Sequence, residues 1–112
     1  MPPKHSRADL IPGTLELLVL QTLTTGAQHG YAIAQHIGRL SGDVLRVEQG
    51  SLYPALDRLQ RAGLVTSEWR ETPTRRRARY YTITETGLEQ LGAKISKYDR
   101  VSLAIARVLG RA

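Results

Sequence analysis

The sequence predicts a mainly α-helical protein with a small β-hairpin, arranged as a winged helix-turn-helix domain and followed by a long C-terminal dimerisation helix. Three observations support this fold class. Apolar residues recur at helical spacing in three short segments, β-branched and aromatic residues cluster after Gly63, and a heptad pattern follows Thr84. We therefore divide the 112 residues into a flexible basic N-terminus (1–9), the winged domain (10–84) and the dimerisation helix (85–112).

The first two helices are separated by a glycine-bounded link. The first begins after a cap at Gly13 or Thr14 and ends at Gly26, and its apolar residues lie on two faces, so both faces must be covered. A tight link at residues 28–30 leads into a second helix at about 31–40. The expected inner stripes comprise Leu15, Leu18, Val19, Thr22 and Leu23 in the first helix, and Ile33, Ile37 and Leu40 in the second.

A third helix is predicted at about residues 50–62. Pro54 is tolerated near a helix start, and Gly63 stands where a left-handed C-terminal cap belongs. The helix is short and polar on its outer face, which suits insertion into the major groove of duplex DNA. Its expected inner residues are Leu52, Ala55, Leu56 and Leu59, and its expected outer residues are Gln49, Ser51, Tyr53, Asp57, Arg58 and Arg61.

A basic hairpin is predicted after the third helix. Strand-like segments at 64–69 and 79–83 flank a polar segment at 70–77, which indicates two antiparallel strands joined by a long basic loop. Residues 64–82 contain five Arg and two Glu, and this surplus is half the net charge of the chain. The alternative is a solvated charge run without a partner. Beside a groove-sized helix, we favour contact of these side chains with DNA, through Arg75, Arg76, Arg77 and Arg79.

The last helix carries a heptad seam that is typical of one helix lying along another. It begins after a Thr84 cap and continues to about Leu109, which is longer than one small domain can cover. We expect the same helix of a second chain to pair with it, and the alternative is a helix folded back onto its own domain. The predicted dimer residues are Leu88, Leu91, Ile95, Tyr98, Ser102, Ile105 and Leu109.

The composition favours a partner with negative charge. Sixteen Lys and Arg against ten Asp and Glu give a net charge of +6, and thirteen of the sixteen are Arg, whose planar fork suits phosphate groups and guanine edges. The lack of cysteine excludes disulfides and thiolate nucleophiles, and no apolar run is long enough to span a membrane. Since we find no secretory signal either, we expect a cytoplasmic protein.

Neither a catalytic nor a metal site can be assembled from the sequence. His29 and His36 lie seven positions apart, but a turn separates them, and a turn His and a surface His describe them better than two ligands. The glycines do not have the spacing of a phosphate-binding loop. We therefore expect no enzyme activity, no metal and no cofactor.

Several motifs together resemble the PadR family of transcriptional regulators. They occur in the family's order over residues 10 to about 90, and the most specific are the Leu-Tyr-Pro-Ala-Leu and Arg-Tyr-Tyr combinations. The matching segments are Pro12-Gly13-Thr14-Leu15, His29-Gly30-Tyr31-Ala32-Ile33, Gly50-Ser51-Leu52-Tyr53-Pro54-Ala55-Leu56, Ala62-Gly63-Leu64-Val65 and Arg77-Ala78-Arg79-Tyr80-Tyr81. The short last helix is similar to that of members without a larger C-terminal domain.

The resemblance implies a homodimeric repressor that binds a palindromic operator in double-stranded DNA and is released by an effector. It also implies that Tyr53 and the hairpin face DNA and that His29 and Tyr31 lie near the DNA backbone. For Gly30 and Tyr31, the alternative is a tight turn with a core aromatic residue. Thr14 joins this set because helix N-termini bind phosphate. Some members that sense aromatic compounds use a Trp on the last helix, which this chain lacks there, and Tyr98 is the aromatic residue on the seam. The effector stays unknown.

A winged-helix module that binds RNA or docks a protein is the alternative function. The +6 charge favours nucleic acid but does not distinguish RNA from duplex DNA. Single-stranded RNA calls for exposed stacking aromatics, and at 5% aromatic residues the chain has few. Two-fold symmetry distinguishes the two functions, because a dimer on a palindrome needs half-sites about 10 bp or a multiple apart.

Overall fold

The computed structural model describes residues 13–111, so the predicted N-terminal segment 1–9 and the first three positions of the predicted winged domain lie outside the described residues. The elements are helix α1 (Thr14–Thr22), a 3-10 turn (Leu23–Thr25), strand β1 (Gln28–His29), helix α2 (Gly30–Leu40), helix α3 (Gln49–Arg61), strands β2 (Val65–Glu71) and β3 (Arg77–Ile83), and helix α4 (Glu85–Val108). The predicted fold class is confirmed: mainly helical, with a small antiparallel sheet and a long last helix.

Helices α1, α2 and α3 enclose the hydrophobic core. Val19 and Leu20 of α1 are fully buried, as are Ile33 of α2 and the inner leucines of α3. Helix α3 begins one residue before its predicted start, and Gly63 takes the left-handed conformation (φ 78°) expected of its C-terminal cap. Pro54 therefore lies in the second turn of α3, where the carbonyl four positions earlier belongs to exposed Gly50 and water can satisfy it.

Leu40 was predicted on the inner stripe of α2, and this was wrong. Its side chain is 71% exposed. The chain turns away at Ser41, whose hydroxyl donates to the Gly38 carbonyl (3.1 Å) and accepts from the Leu45 amide (3.0 Å). Leu45 and Val47 of the following segment then pack against the core in place of Leu40. A local hydrogen-bonded turn thus ends the apolar stripe one helical turn early.

The sheet differs from the predicted hairpin in two ways. The link at residues 28–30 supplies a third strand, because Gln28 and His29 pair with Tyr81 and Tyr80, and the strand order is β1-β3-β2. The two long strands also extend further than expected, so the hairpin closes in a short turn rather than a long loop. Thr72 closes that turn, since its amide donates to the Arg76 carbonyl (2.6 Å) and its hydroxyl accepts from the Arg76 amide (3.1 Å).

Helix α4 begins as predicted, with Thr84 as its cap. The Thr84 hydroxyl accepts from the Gly87 amide (2.9 Å) and donates to the Gly63 carbonyl (2.8 Å), which fastens the start of α4 to the end of α3. Gly87 is buried here, and a Cβ at this position would overlap the Leu64 carbonyl oxygen. The first turns of α4 are thus held firmly against the winged domain.

Leu91 was predicted for the dimer seam, and the structure places it elsewhere. It is only 5% exposed and belongs to the core cluster of its own domain. The reason is its position in the part of α4 that still lies over the domain, so its own chain covers it. Farther along α4 and at the residue that follows it, the apolar side chains are largely exposed, and they are Ile95, Tyr98, Val101, Leu103, Ile105, Val108 and Leu109.

Candidate nucleic-acid interface

We call the hairpin β2–β3 the wing. An open groove of about 1040 Å³ runs between the start of α2, the outer face of α3 and the wing. The start of α2 lines it, and so do three arginines of the wing, Arg76, Arg77 and Arg79. The side chains that carry the chemistry of this groove are His29, Tyr31, Tyr53, Trp69, Arg77, Arg79 and Tyr81. The fold thus brings together residues that lie more than fifty positions apart in the sequence.

Tyr53 lines this groove and packs over Gly30. A Cβ at Gly30 would be 2.8 Å from two carbons of the Tyr53 ring, so only glycine permits this approach. The other side of the tyrosine remains open, with 42% of the residue exposed. The contact between Gly30 and Tyr53 therefore fixes the tyrosine at the junction of α2 and α3 while part of the residue stays exposed.

His29 and Tyr31 lie at the N-terminal end of α2. The His29 ring caps the helix, since Nδ1 accepts from the Ala32 amide at 3.3 Å, and the His29 and Tyr80 rings form a T-shaped pair with their centroids 5.2 Å apart. A neutral His29 consequently carries its proton on Nε2, which is left as a donor. Tyr31 is 60% exposed, and its hydroxyl accepts from the side-chain Nε2 of Gln35 at 3.0 Å. Both side chains offer polar groups at the edge of the groove.

The arginines of α3 and the wing separate into two groups. Three are held by nearby carboxylates: Arg58 donates through Nε to Glu16 of α1 at 2.7 Å, Arg61 pairs with Asp57, and Arg70 pairs with Glu68. Within residues 13–111, the remaining wing arginines form no ion pair with a carboxylate, and these are Arg75, Arg76, Arg77 and Arg79. The charge of the wing is therefore available to an external anion, whereas that of the first group is partly neutralised.

Arg58 was predicted to contact DNA, and its ion pair constrains that role. Its Nε is committed to Glu16, which ties α3 to α1, while the side chain stays 57% exposed. The terminal N–H groups of the guanidinium are the ones that remain for a phosphate.

Helix α3 presents its first turn to solvent. Gln49 is the first helical residue, and Gln49 and Ser51 are both exposed. Glu48 precedes the helix without a side-chain cap, so the first-turn N–H groups have no side-chain partner from it. This end of α3 therefore combines polar side chains with the positive end of the helix dipole.

Thr14 does not join the groove. It lies at the start of α1 and lines a separate cleft of about 300 Å³ between α1 and α4. The other side of this cleft is formed by α4 and includes Tyr98, Ser102 and Ile105. Thr14 is therefore the predicted contact that the structure separates from Tyr53 and the wing.

Sequence reasoning missed three residues of the wing and α3. Trp69 lies on the face of the wing that lines the groove, and the guanidinium groups of Arg77 and Arg79 lie over its ring. Arg79 also donates to the Ser67 hydroxyl, which in turn donates to Gln60 of α3. The alignment of Trp69 with Arg79 depends on the strand register, which the spacing of residues in the sequence does not reveal.

Tyr81 forms the base of the groove. Burial raises the pKa of its phenol above the usual value, and the nearby Arg79 charge partly opposes this increase. Tyr53 and Asp57 act in the same direction as burial. Tyr81 is therefore a neutral hydroxyl wherever the protein is near neutral pH.

A winged helix-turn-helix with a basic wing and an exposed, polar third helix defines a class of regulatory proteins. A family model described as the transcriptional regulator PadR-like family matches residues 19–93. The chain belongs to this family, and the resemblance read from the sequence motifs is confirmed. It is a PadR-like transcriptional regulator.

Solved structures agree with this assignment. A transcriptional regulator from Clostridium thermocellum is 26% identical and superposes with a TM-score of 0.80, covering 89% of this chain and 94% of the other. A PadR family transcriptional regulator from Eggerthella lenta is 29% identical with a TM-score of 0.74, covering 87% of this chain and 82% of the other.

One sequence relative matches this chain over only part of its own length. A 37.1 kDa protein of a Streptomyces fradiae transposon is 38% identical over 96 residues, and the match spans 86% of this chain but only 24% of that protein.

No helix between residues 13 and 111 combines the length and the apolar character that crossing a bilayer requires.

Proposed function

We propose that this regulator is a cytoplasmic homodimeric repressor that binds a palindromic operator in double-stranded DNA and is released from it by an effector. The proposal assigns the chain a binding role and no catalysis. The observation that carries it is the set of four wing arginines without a carboxylate partner among the described residues, beside the groove that holds Tyr53. Phosphates of a duplex supply the charge that these side chains lack.

Affinity in this proposal comes from the wing and from the ends of the helices. Arg75 and Arg76 lie at the tip of the wing, and Arg76, Arg77 and Arg79 line the groove. Placed along a backbone or in a narrow minor groove, all four contact phosphates or the groove edge. His29 Nε2, Tyr31 and the free N–H groups of Arg58 are proposed as further backbone contacts, because they lie on exposed or half-buried side chains. Thr14 is a weaker candidate because it lines the other cleft.

Sequence reading is assigned to the start of α3. Gln49 and Ser51 are exposed, and Tyr53 is held in the groove by its packing on Gly30. A glutamine amide and a hydroxyl match the donor and acceptor pattern of base edges in the major groove. A fixed tyrosine ring adds apolar contact with a thymine methyl or a hydrogen bond to a phosphate.

Dimerisation is assigned to the exposed face of α4. The 24 residues of this helix span about 36 Å, and its C-terminal half carries exposed apolar side chains. Such a row of apolar residues on a helix is stabilised by a second helix that removes it from water. The proposed seam comprises Leu88, Ile95, Tyr98, Ser102, Ile105 and Leu109, with Leu91 assigned to the core of its own domain.

Release of DNA is assigned to a change in the angle between the two α4 helices. Thr84 and Gly87 fasten the start of α4 to the end of α3, so a rotation of α4 moves α3, the recognition helix of this proposal, with it. An effector that disfavours the DNA-bound spacing by about 3 kcal/mol weakens binding more than a hundredfold. Tyr98, which lines the cleft between α1 and α4, is the aromatic side chain best placed to sense such a ligand.

The experiment that tests the proposal is selection of duplexes from a randomised pool, combined with measurement of the molar mass of the complex. We expect an enriched palindrome with half-sites about 10 bp or a multiple apart, bound by two chains. An RNA of the same sequence should compete poorly. The proposal is wrong if no duplex is enriched at low salt, or if one chain binds a site without two-fold symmetry.

A further inference from the structure

Trp69 contacts two of the free wing arginines at once. It is the single tryptophan of the chain, and 57% of it is exposed. The guanidinium carbon of Arg77 lies 5.6 Å from the ring centroid and that of Arg79 lies 5.9 Å from it. Both distances fall within the range of a cation–π interaction. Trp69 and Arg79 are also direct partners across the β2–β3 ladder.

Arg79 is held from a second side by α3. Its Nε donates to the Ser67 hydroxyl at 2.9 Å, and that hydroxyl donates to the Gln60 side-chain oxygen at 3.0 Å. The guanidinium of Arg79 therefore has a defined direction relative to the recognition helix. Its terminal N–H groups are left for another acceptor, since neither contact uses them.

The arrangement places two like charges on one face of one strand, and no carboxylate among residues 13–111 pairs with either. Glu71 lies opposite Arg77 in the ladder and still forms no ion pair with it. The negative face of the indole ring is the group that attracts both guanidinium groups. A long exposed arginine otherwise samples many rotamers, and each of them must be ordered when DNA binds.

We propose that Trp69 is a positioning residue, which holds the Arg77 and Arg79 guanidinium groups ready for the phosphates of bound DNA. It acts through the arginines, without reading a base itself. This inference rests on the proposed function, because it presumes that the groove receives a duplex. An uncharged side chain thereby contributes to the affinity for phosphates through the two arginines that it holds.

A double-mutant cycle tests the proposal, with the intact protein and a labelled duplex selected by the wild type from a randomised pool. Affinities are measured by fluorescence anisotropy at low salt, so that weak variants remain measurable. We expect W69L to weaken binding about tenfold, because two cation–π contacts are lost. In an R77Q/R79Q background, the same substitution should change the affinity by no more than about twofold.

The matched control is the R75Q/R76Q background, which removes the same charge from the same wing but spares the arginines on Trp69. There, W69L should retain its full effect of about tenfold. W69F keeps a ring with a weaker attraction for cations, so its affinity should lie between those of the wild type and W69L. The proposal is overturned if W69L costs the same in all three backgrounds, or if it leaves wild-type binding unchanged.

The fluorescence of Trp69 distinguishes failure of the inference from failure of the proposed function. In the absence of DNA, R77Q/R79Q should shift the tryptophan emission relative to the wild type, whereas R75Q/R76Q should not. An unshifted emission contradicts the stacking. If the emission shifts but the wild type binds no duplex, the proposed function is wrong while the stacking of the arginines on Trp69 stands.

Discussion

Neutralising the two arginines at the tip of the wing should reduce the salt dependence of DNA binding by a calculable amount. Arg75 and Arg76 have no ion pair among the described residues, and a dimer contains four of them. Each phosphate contact contributes about 0.9 to the slope of log affinity against log salt concentration, so R75Q/R76Q should reduce the slope by about 3.6. The loss of affinity should be the same on the selected duplex and on a scrambled one, because phosphates carry no sequence.

The control for this prediction removes the same number of charges from ion-paired arginines. R61Q/R70Q eliminates two guanidinium groups that already pair with Asp57 and Glu68. Since each pair is close to neutral as a unit, the slope should fall by less than half as much as in R75Q/R76Q.

The assay is fluorescence anisotropy over a series of KCl concentrations, with circular dichroism to confirm that each variant is folded. Equal changes of slope in the two double variants would refute the division of the arginines into free and paired groups. A sequence-selective loss in R75Q/R76Q would show that the wing tip reads bases rather than anchoring the backbone.

Three further predictions concern the seam, the groove and the base of the groove. I95E/I105E should give a monomer with weak DNA binding, because a dimer would bury carboxylates in its seam, and an unchanged mass by analytical ultracentrifugation would contradict the seam. G30A should lower the free energy of unfolding by about 1–3 kcal/mol by displacing Tyr53, and in a Y53A background the same substitution should cost much less. If thermal melts show that the losses from G30A and Y53A simply add in the double variant, the contact between the two residues is not the cause. Because burial raises the pKa of Tyr81 in the folded protein, this tyrosine ionises at lower pH in the unfolded chain. The free energy of unfolding should therefore keep its full value below the ordinary tyrosine pKa and fall as the pH rises through the pKa of Tyr81 in the folded protein. Y81F should lose less stability over that alkaline range in pH-dependent urea unfolding, and an identical decline would refute the assignment.

Local chemistry made the helix boundaries predictable. Glycine after the third helix and threonine before the last one are signals that act over a few residues, and both are found in the predicted roles. The family motifs also contain the groove residues His29, Tyr31 and Tyr53, so the sequence alone predicts these three members of the candidate site.

Properties that depend on distant packing were not predictable in this way. The hairpin length depends on cross-strand pairs such as Trp69 with Arg79, which spacing alone does not reveal. Leu91 shares the heptad pattern of the seam, yet the domain beside it decides that it is buried within its own chain. The ion pair of Arg58 with Glu16 joins residues 42 positions apart, so the sequence did not show that this arginine was partly committed.

The hydrogen bonds of Thr84 to both Gly63 and Gly87 make the connection between the winged domain and α4 rigid. In the proposed dimer, the number of residues in α4 therefore sets the distance and the angle between the two winged domains. Each residue inserted before the seam would rotate a winged domain by about 100° and shift it by about 1.5 Å, while seven inserted residues would nearly restore its orientation and add about 10 Å. A change in the length of α4 is therefore a simple way for the same winged domain to bind operators whose half-sites are spaced differently.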